Sequence, residues 1–252
     1  MAEKQEIAWY GEQLKTLVGL SSSAVGVRFL ADDVQPHGAR VLKQHRYCQA
    51  LIRARRGESV LLDREGIACP AAAAAFGFRP LPAGLQAGKA LVGFGIVADE
   101  AVGRRMFEAM PRLEPGQIQS LHLFPLERAG DRPDVVVVED EVEKLMWITL
   151  AYMHTTGGER VQSSTAVLQA TCVDSTIIPY LEGRLNLGYG CYGCRDATDL
   201  GANETVLGFP GVSLPAIVEH LQYLAQKAIP TSRSKRAWAA LQSRRAEQPG
   251  AQ

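Results

Sequence analysis

The chain has 252 residues, 27 basic against 27 acidic side chains and 46% apolar residues. A chain of that size buries a large core without disulfide staples and makes one or two domains. Zero formal net charge, with no long run of either sign, argues against a protein that binds nucleic acid through its phosphates.

The amino terminus, MAEKQEIAWYGEQL, is polar and amphipathic. It lacks the apolar core of a secretory signal, so a cytoplasmic location is expected. The longest apolar stretches, such as 71–78 and 135–138, fall short of the roughly 18 to 20 residues that span a bilayer, so no membrane segment is expected.

Ile7, Tyr10, Leu14, Leu17 and Val18 recur at helical spacing, which predicts a helix ending near Gly19. AVGVRFL at 24–30 reads as a strand, and turn residues then lead to a helix carrying Tyr47, Cys48, Leu51 and Ile52 that stops at Gly57. Between 59 and 69 the runs VLL and GIA read as short strands; Pro70 then suits a first helical turn before the alanines 71–75. A loop rich in glycine and proline precedes an apolar run at 90–97, read as a strand, and a helix from about Asp99 to Met110.

Strands are expected near 120–126 and 134–138, followed by a helix from Glu139 to about His154. The segment 167–181 reads as helical, and Gly188, Gly190 and Gly193 gather with Cys191 and Cys194 in a loop. A strand at 204–209 leads to a helix from Leu214 to about Ala228. The expected fold is mixed α/β, α+β-like, a mixed sheet flanked by helices in one compact domain or two lobes over residues 1–230. A basic amphipathic tail occupies 231–252, with Arg233, Lys235, Arg236, Arg244 and Arg245 around Trp238 and Leu241. No dinucleotide or phosphate loop follows a strand.

The five cysteines, at 48, 69, 172, 191 and 194, are the dense chemical signal. Only Cys191-Tyr-Gly-Cys194 is a local motif, a spacing shared by zinc sites, iron–sulfur clusters and thiol redox pairs. A zinc ribbon needs a second local pair, and none occurs. Dispersed thiolates suit a cluster buried in a preformed fold, whereas free cysteine also packs as a small hydrophobe, a reading strongest for Cys48 beside Leu51 and Ile52. Cys69 stands before Pro70 at an expected helix start, where a thiolate is favoured.

The runs YCQALIRARRG, GIACPAAAAAFGF, ATCVDSTIIPYLEG and GCYGCRDATDLGANETVLGFP resemble the uncharacterised ArCR family, domain of unknown function 169. The likeness extends from AVGVRFL to the helix after GFPG. It implies that the family's cysteines fall at Cys48, Cys69, Cys172 and Cys191, with Arg195, Glu204 and Pro210 continuing the last motif. Cys194 stands where the family pattern often has serine. The resemblance implies convergence of the cysteines and supplies neither reaction nor substrate.

Arg195 follows Cys194 directly; its guanidinium can clamp a carboxylate or phosphate or simply ion-pair at the surface, and Glu204 either pairs with it, the favoured reading, or caps the edge of the strand that follows. His45, three positions before Cys48, shares its face if that segment is helical. No HExxH, HxxxD or G-x-S-x-G pattern occurs, so neither a zinc protease nor a serine nucleophile is expected.

The expected function is a cytoplasmic iron–sulfur protein whose Cys48, Cys69, Cys172, Cys191 and Cys194 supply the ligands of a [4Fe–4S] cluster, with zinc as the alternative metal. The cluster would serve electron transfer with a redox partner or bind a small anionic ligand beside Arg195 and Glu204. The alternatives are a metal-free binding or regulatory module with structural cysteines, and a thiol redox pair at Cys191 and Cys194.

Overall fold

A computed structural model describes residues 2–233 and 236–246. The first helix, α1 (Ala2–Val18), ends at Gly19 as its apolar spacing predicts, and β1 (Val25–Leu30) follows. The pair β2 (Arg40–Val41) and β3 (Val60–Asp63) brackets α2 (Tyr47–Arg55). The GIA run forms no strand and contributes only an isolated bridge between Ile67 and His45. Cys69 then caps α3 (Pro70–Ala75), with Pro70 at its first turn.

The apolar run at 90–97, expected as a strand, forms part of a helical flap instead. Here α4 (Ala83–Gln86), α5 (Lys89–Gly93) and α6 (Glu100–Glu108) pack on one another. Gly88 makes the flap possible: its φ is +79°, and a Cβ there would overlap the Glu100 carbonyl oxygen at the start of α6. Asp99 caps α6 by accepting from the Ala101 N–H at 2.6 Å.

Two central strands, β4 (Ser120–Pro125) and β5 (Val135–Glu141), come next, then α7 (Val142–Thr155). Glu139, expected to open that helix, stays in β5 because the strand pairs with β7 (Glu204–Pro210) along its full length, Val135 opposite Pro210 through Glu141 opposite Glu204. Asp140 ties the end of β5 to the α1–β1 turn, accepting from Ser21 N–H at 2.7 Å and from Lys144 Nζ at 2.7 Å.

The segment expected as a helix at 167–181 is helical in two forms, a π-helix at Ala170–Ile177 and then α8 (Ile178–Glu182). The glycine loop holds more structure than expected, with β6 (Asn186–Gly188) before it and α9 (Tyr192–Ala197) spanning the CYGC turn. After β7 comes α10 (Leu214–Gln226), followed by α11 (Ala228–Arg233) and α12 (Arg236–Ala246). Trp238 and Leu241 of the expected tail are exposed, and Lys235 lies outside the described residues.

The fold is mixed α/β in a single domain. Its sheet runs β2-β3-β4-β1-β5-β7-β6, with β2 parallel to β3 and the other pairs antiparallel. Both faces of the central strands are buried, which explains the unbroken valines of β5. Val136, Val138, Leu207 and Phe209 face α1, α7 and α10. Val135, Val137 and Val206 face α2, α3 and the π-helix. The cysteines lie on this second side.

Candidate functional site

Each cysteine is placed by a helix start or by the π-helix. Cys48 lies in the first turn of α2, Cys69 caps α3 and Cys191 caps α9, with Cys194 one turn on. Cys172 comes from the π-helix, where its thiol faces the Gln169 carbonyl at 3.5 Å. π-Helical turns widen a helix locally and recur at functional sites. This one is held by side chains: Tyr47 Oη lies 2.8 Å from Thr176 Oγ1, which in turn donates to the Thr171 carbonyl at 2.8 Å.

All five cysteines line one cavity of about 590 Å³. Cys48, Cys172, Cys191 and Cys194 are buried, and Cys69 is half-buried. The Cys191 and Cys194 sulfurs stand 2.6 Å apart, and the Cys194 N–H donates to Cys191 Sγ at 3.0 Å. α9 is docked on α2 by Arg46, whose Nη1 donates to the Gly193 carbonyl at 2.9 Å, and by Gln49, whose amide donates to the Ala197 carbonyl at 3.3 Å.

The thiols divide a charge unequally. Hydrogen bonds from the Cys191 and Cys48 thiols hold the Cys194 thiol far below its ordinary range. The same contacts, with burial, push Cys48 and Cys191 up, and burial pushes Cys172 up as well. The Thr171 hydroxyl is fully buried in the π-helix and has no hydrogen-bond partner of ordinary geometry, yet it adds to the stabilisation of the Cys194 thiolate. Among the described residues, no group of three or more histidine, cysteine, aspartate or glutamate side chains stands ready to hold a metal ion.

Behind the thiols a buried acid sits on β5. Glu139 faces Arg55 at 3.6 Å from Nε, and Arg55 also pairs with Asp199. One Glu139 oxygen accepts no hydrogen bond, and burial pushes its carboxyl up to about 8 against the pull of Arg55. Asp174, on the π-helix, is pushed up to about 6 by burial although Thr165 donates to it.

Arg195 and Glu204 are neighbours without forming a side-chain ion pair. The Arg195 guanidinium donates to the carbonyls of Tyr189, Gly201 and Glu204, and the Glu204 carboxylate accepts from the Gly201 N–H at 2.6 Å. Neither residue lines the cysteine cavity, and nor does His45, whose ring nitrogens meet the Lys43 carbonyl and Arg53. Sequence reasoning missed Arg46, Thr171 and Glu139. Arg46 is adjacent in sequence to the YCQ motif and Thr171 to Cys172 in ATCVDST, but Glu139 carries no local signal, since only tertiary packing buries it.

At the cavity edge the backbone is held in an uncommon conformation. Val167 and Gln169 have φ of +62° and +57°, and the Val167 carbonyl accepts from the Tyr192 N–H at 3.3 Å. A β-branched residue in the left-handed region stores strain that its surroundings must enforce. Here the enforcing partner is the helix that carries Cys191 and Cys194.

An uncharacterised protein of Methanocaldococcus jannaschii is 28% identical over 227 residues, covering 88% of this chain and 96% of the relative. No solved structure matches the chain. The model of the uncharacterised ArCR proteins, domain of unknown function 169, matches residues 13–220, from α1 through most of α10 and across every cysteine; the chain belongs to that family.

Proposed function

We propose that this chain is an iron–sulfur protein in which thiolates drawn from Cys48, Cys69, Cys172, Cys191 and Cys194 hold a [4Fe–4S] cluster. One observation carries the reading: five cysteines scattered from residue 48 to residue 194 line a single cavity. Chance packing of small apolar residues does not explain why the whole set meets at one place. The donor set also fits the chemistry, because soft thiolates in a buried setting are the usual ligands of such clusters. Thr171 and the Cys194 N–H are donors beside the sulfurs, the kind of neighbours that tune a cluster's potential.

Bound there, a cluster would supply one-electron transfer to a redox partner or, with one iron free of protein ligands, a Lewis acid facing the cavity. The chain's own part is to exclude water and to keep Cys194 ionised, and the protons that Cys48 and Cys191 give up on ligation would be released to solvent. Glu139 lies near enough to sense that change in charge.

The test is anoxic reconstitution of the full chain and of its Cys69→Ser, Cys172→Ser and Cys191→Ser variants, with iron, sulfide and zinc quantified and the spectrum recorded. The expected result is a broad band near 400 nm, with iron and sulfide in similar amounts, that each substitution abolishes or strongly reduces. Iron content unchanged in all three variants would defeat the proposal, and a colourless protein carrying zinc would point to the alternative metal. A metal-free binding module is the second reading; the packing of Cys48, Cys191 and Cys194 with Ala170 as one small buried apolar cluster favours it. That reading expects serine variants with modest losses of stability and no chromophore to lose.

A further inference from the structure

The cavity beside the cysteines has a second character, set by its other walls. Leu85, Leu91, Phe94, Ile96, Phe107 and Leu168 line it, and among the described lining residues charge is confined to Arg46, Asp196 and the Cys194 thiolate. The Arg46 guanidinium is already engaged with the Gly193 carbonyl at 2.9 Å. Leu91 and Phe107 are buried, so the inner wall is fixed, while Phe94 is 67% exposed and Tyr192 65% exposed at the rim. A volume of about 590 Å³ lies within the range typical of small-molecule sites.

An anionic ligand in such a place would lose its hydration against mostly apolar walls and meet the Cys194 thiolate, with Arg46, held at the Gly193 carbonyl, as the one cationic lining group. An uncharged ring or branched chain would replace water against apolar walls and gain both burial and dispersion contacts. Arg195, the anion clamp suggested by the sequence, spends its donors on three backbone carbonyls away from this space.

We propose that the cavity binds an uncharged, largely apolar small molecule, aromatic or branched aliphatic and of one- or two-ring size, with one end against the cysteine sulfurs and its body under the flap formed by α4, α5 and α6. The proposal deepens the cluster reading and rests on it only for what happens at the sulfur end. Binding itself requires no metal, so the two can fail separately.

The experiment is a titration of the full chain, followed by amide shifts in NMR, with indole and with indole-3-carboxylate, the same ring carrying a charge. It is run on protein as purified and again after iron and zinc are removed by chelation. Two variants fill the space from the flap side: Gly84→Leu, at a position where an added Cβ meets nothing within 4 Å, and Ala90→Phe.

Indole is expected to shift the amides of Leu91 and Phe107 in both preparations. The carboxylate should bind at least about tenfold more weakly, and one or both variants should lose about tenfold in indole affinity while keeping the wild-type thermal midpoint. Equal affinity for the two ligands, no binding of indole in either preparation, or indole affinity unchanged in both variants would overturn the proposal. No uptake of iron on anoxic reconstitution, with intact indole binding, would sink the cluster reading and leave this one standing.

Discussion

Gly208 shows how much of the site depends on one missing methyl group. It sits in β7 where the strand passes under the π-helix, and a Cβ there would overlap the Ser175 carbonyl oxygen. The strand and the helix that carries Cys172 are therefore in backbone contact. Gly208→Ala should force them apart and cost roughly 3 kcal/mol or more, since overpacking against a rigid carbonyl cannot relax by rotamer change. Chemical denaturation checks this; a loss below about 1 kcal/mol would show that the π-helix shifts freely. Nothing local in TVLGFP distinguishes this glycine from an ordinary strand residue. The cysteines were conspicuous in the sequence, and their convergence was implied by the family resemblance rather than by spacing, because separations of 21, 103, 19 and 3 residues carry no distance information once the chain folds.

At the scale of elements, legibility followed periodicity and flanking signals. α1, α2 and α6 combine apolar spacing with a cap or a glycine stop, α10 has the spacing with Pro215 in its first turn, and the expected ranges match those observed to within a few residues, apart from the start of α1. The run at 90–97 failed because a short apolar stretch reads equally well as a strand or a buried helix, and only contacts within the flap decide it. Glu139 was misplaced for a related reason: full-length pairing with β7 holds it in the strand.

α9 is the element on which the thiol pair depends. At six residues it is far too short to be stable alone, so its hold on α2 through Arg46 matters. Arg46→Ala should cost about 1 kcal/mol of stability and speed amide exchange at Gly193 and Cys194 by about tenfold. Exchange at wild-type rates would mean that Gln49 alone positions the turn.

For the molecule as a whole, Glu139 sets a pH dependence. Its folded pKa, about 8, lies above the ordinary carboxyl value, so the folded chain binds a proton that the unfolded chain has released. The resulting contribution is fully present below the unfolded value and is lost as pH rises through about 8. Glu139→Gln should match wild type near pH 4, gain progressively over it up to about pH 8 and then level off, at a difference on the order of 5 kcal/mol. Paired unfolding curves across that range measure it; a constant difference would mean that Glu139 stays ionised in the fold. Among the described residues no helix is long and apolar enough to cross a membrane. Residues 236–243 of α12 are exposed and follow the family region, which ends at residue 220.

The order of the cysteines along the chain has a consequence for biosynthesis. Cys48 and Cys69 leave the ribosome with the first strands, and more than a hundred residues, including β4, β5 and α7, must follow before Cys172 appears. Throughout that interval the early thiols have no partners, and the cavity they line has no far wall. The site is complete only once β7 has closed the sheet beneath the π-helix, so any cofactor must be delivered to a finished chain rather than to a nascent one.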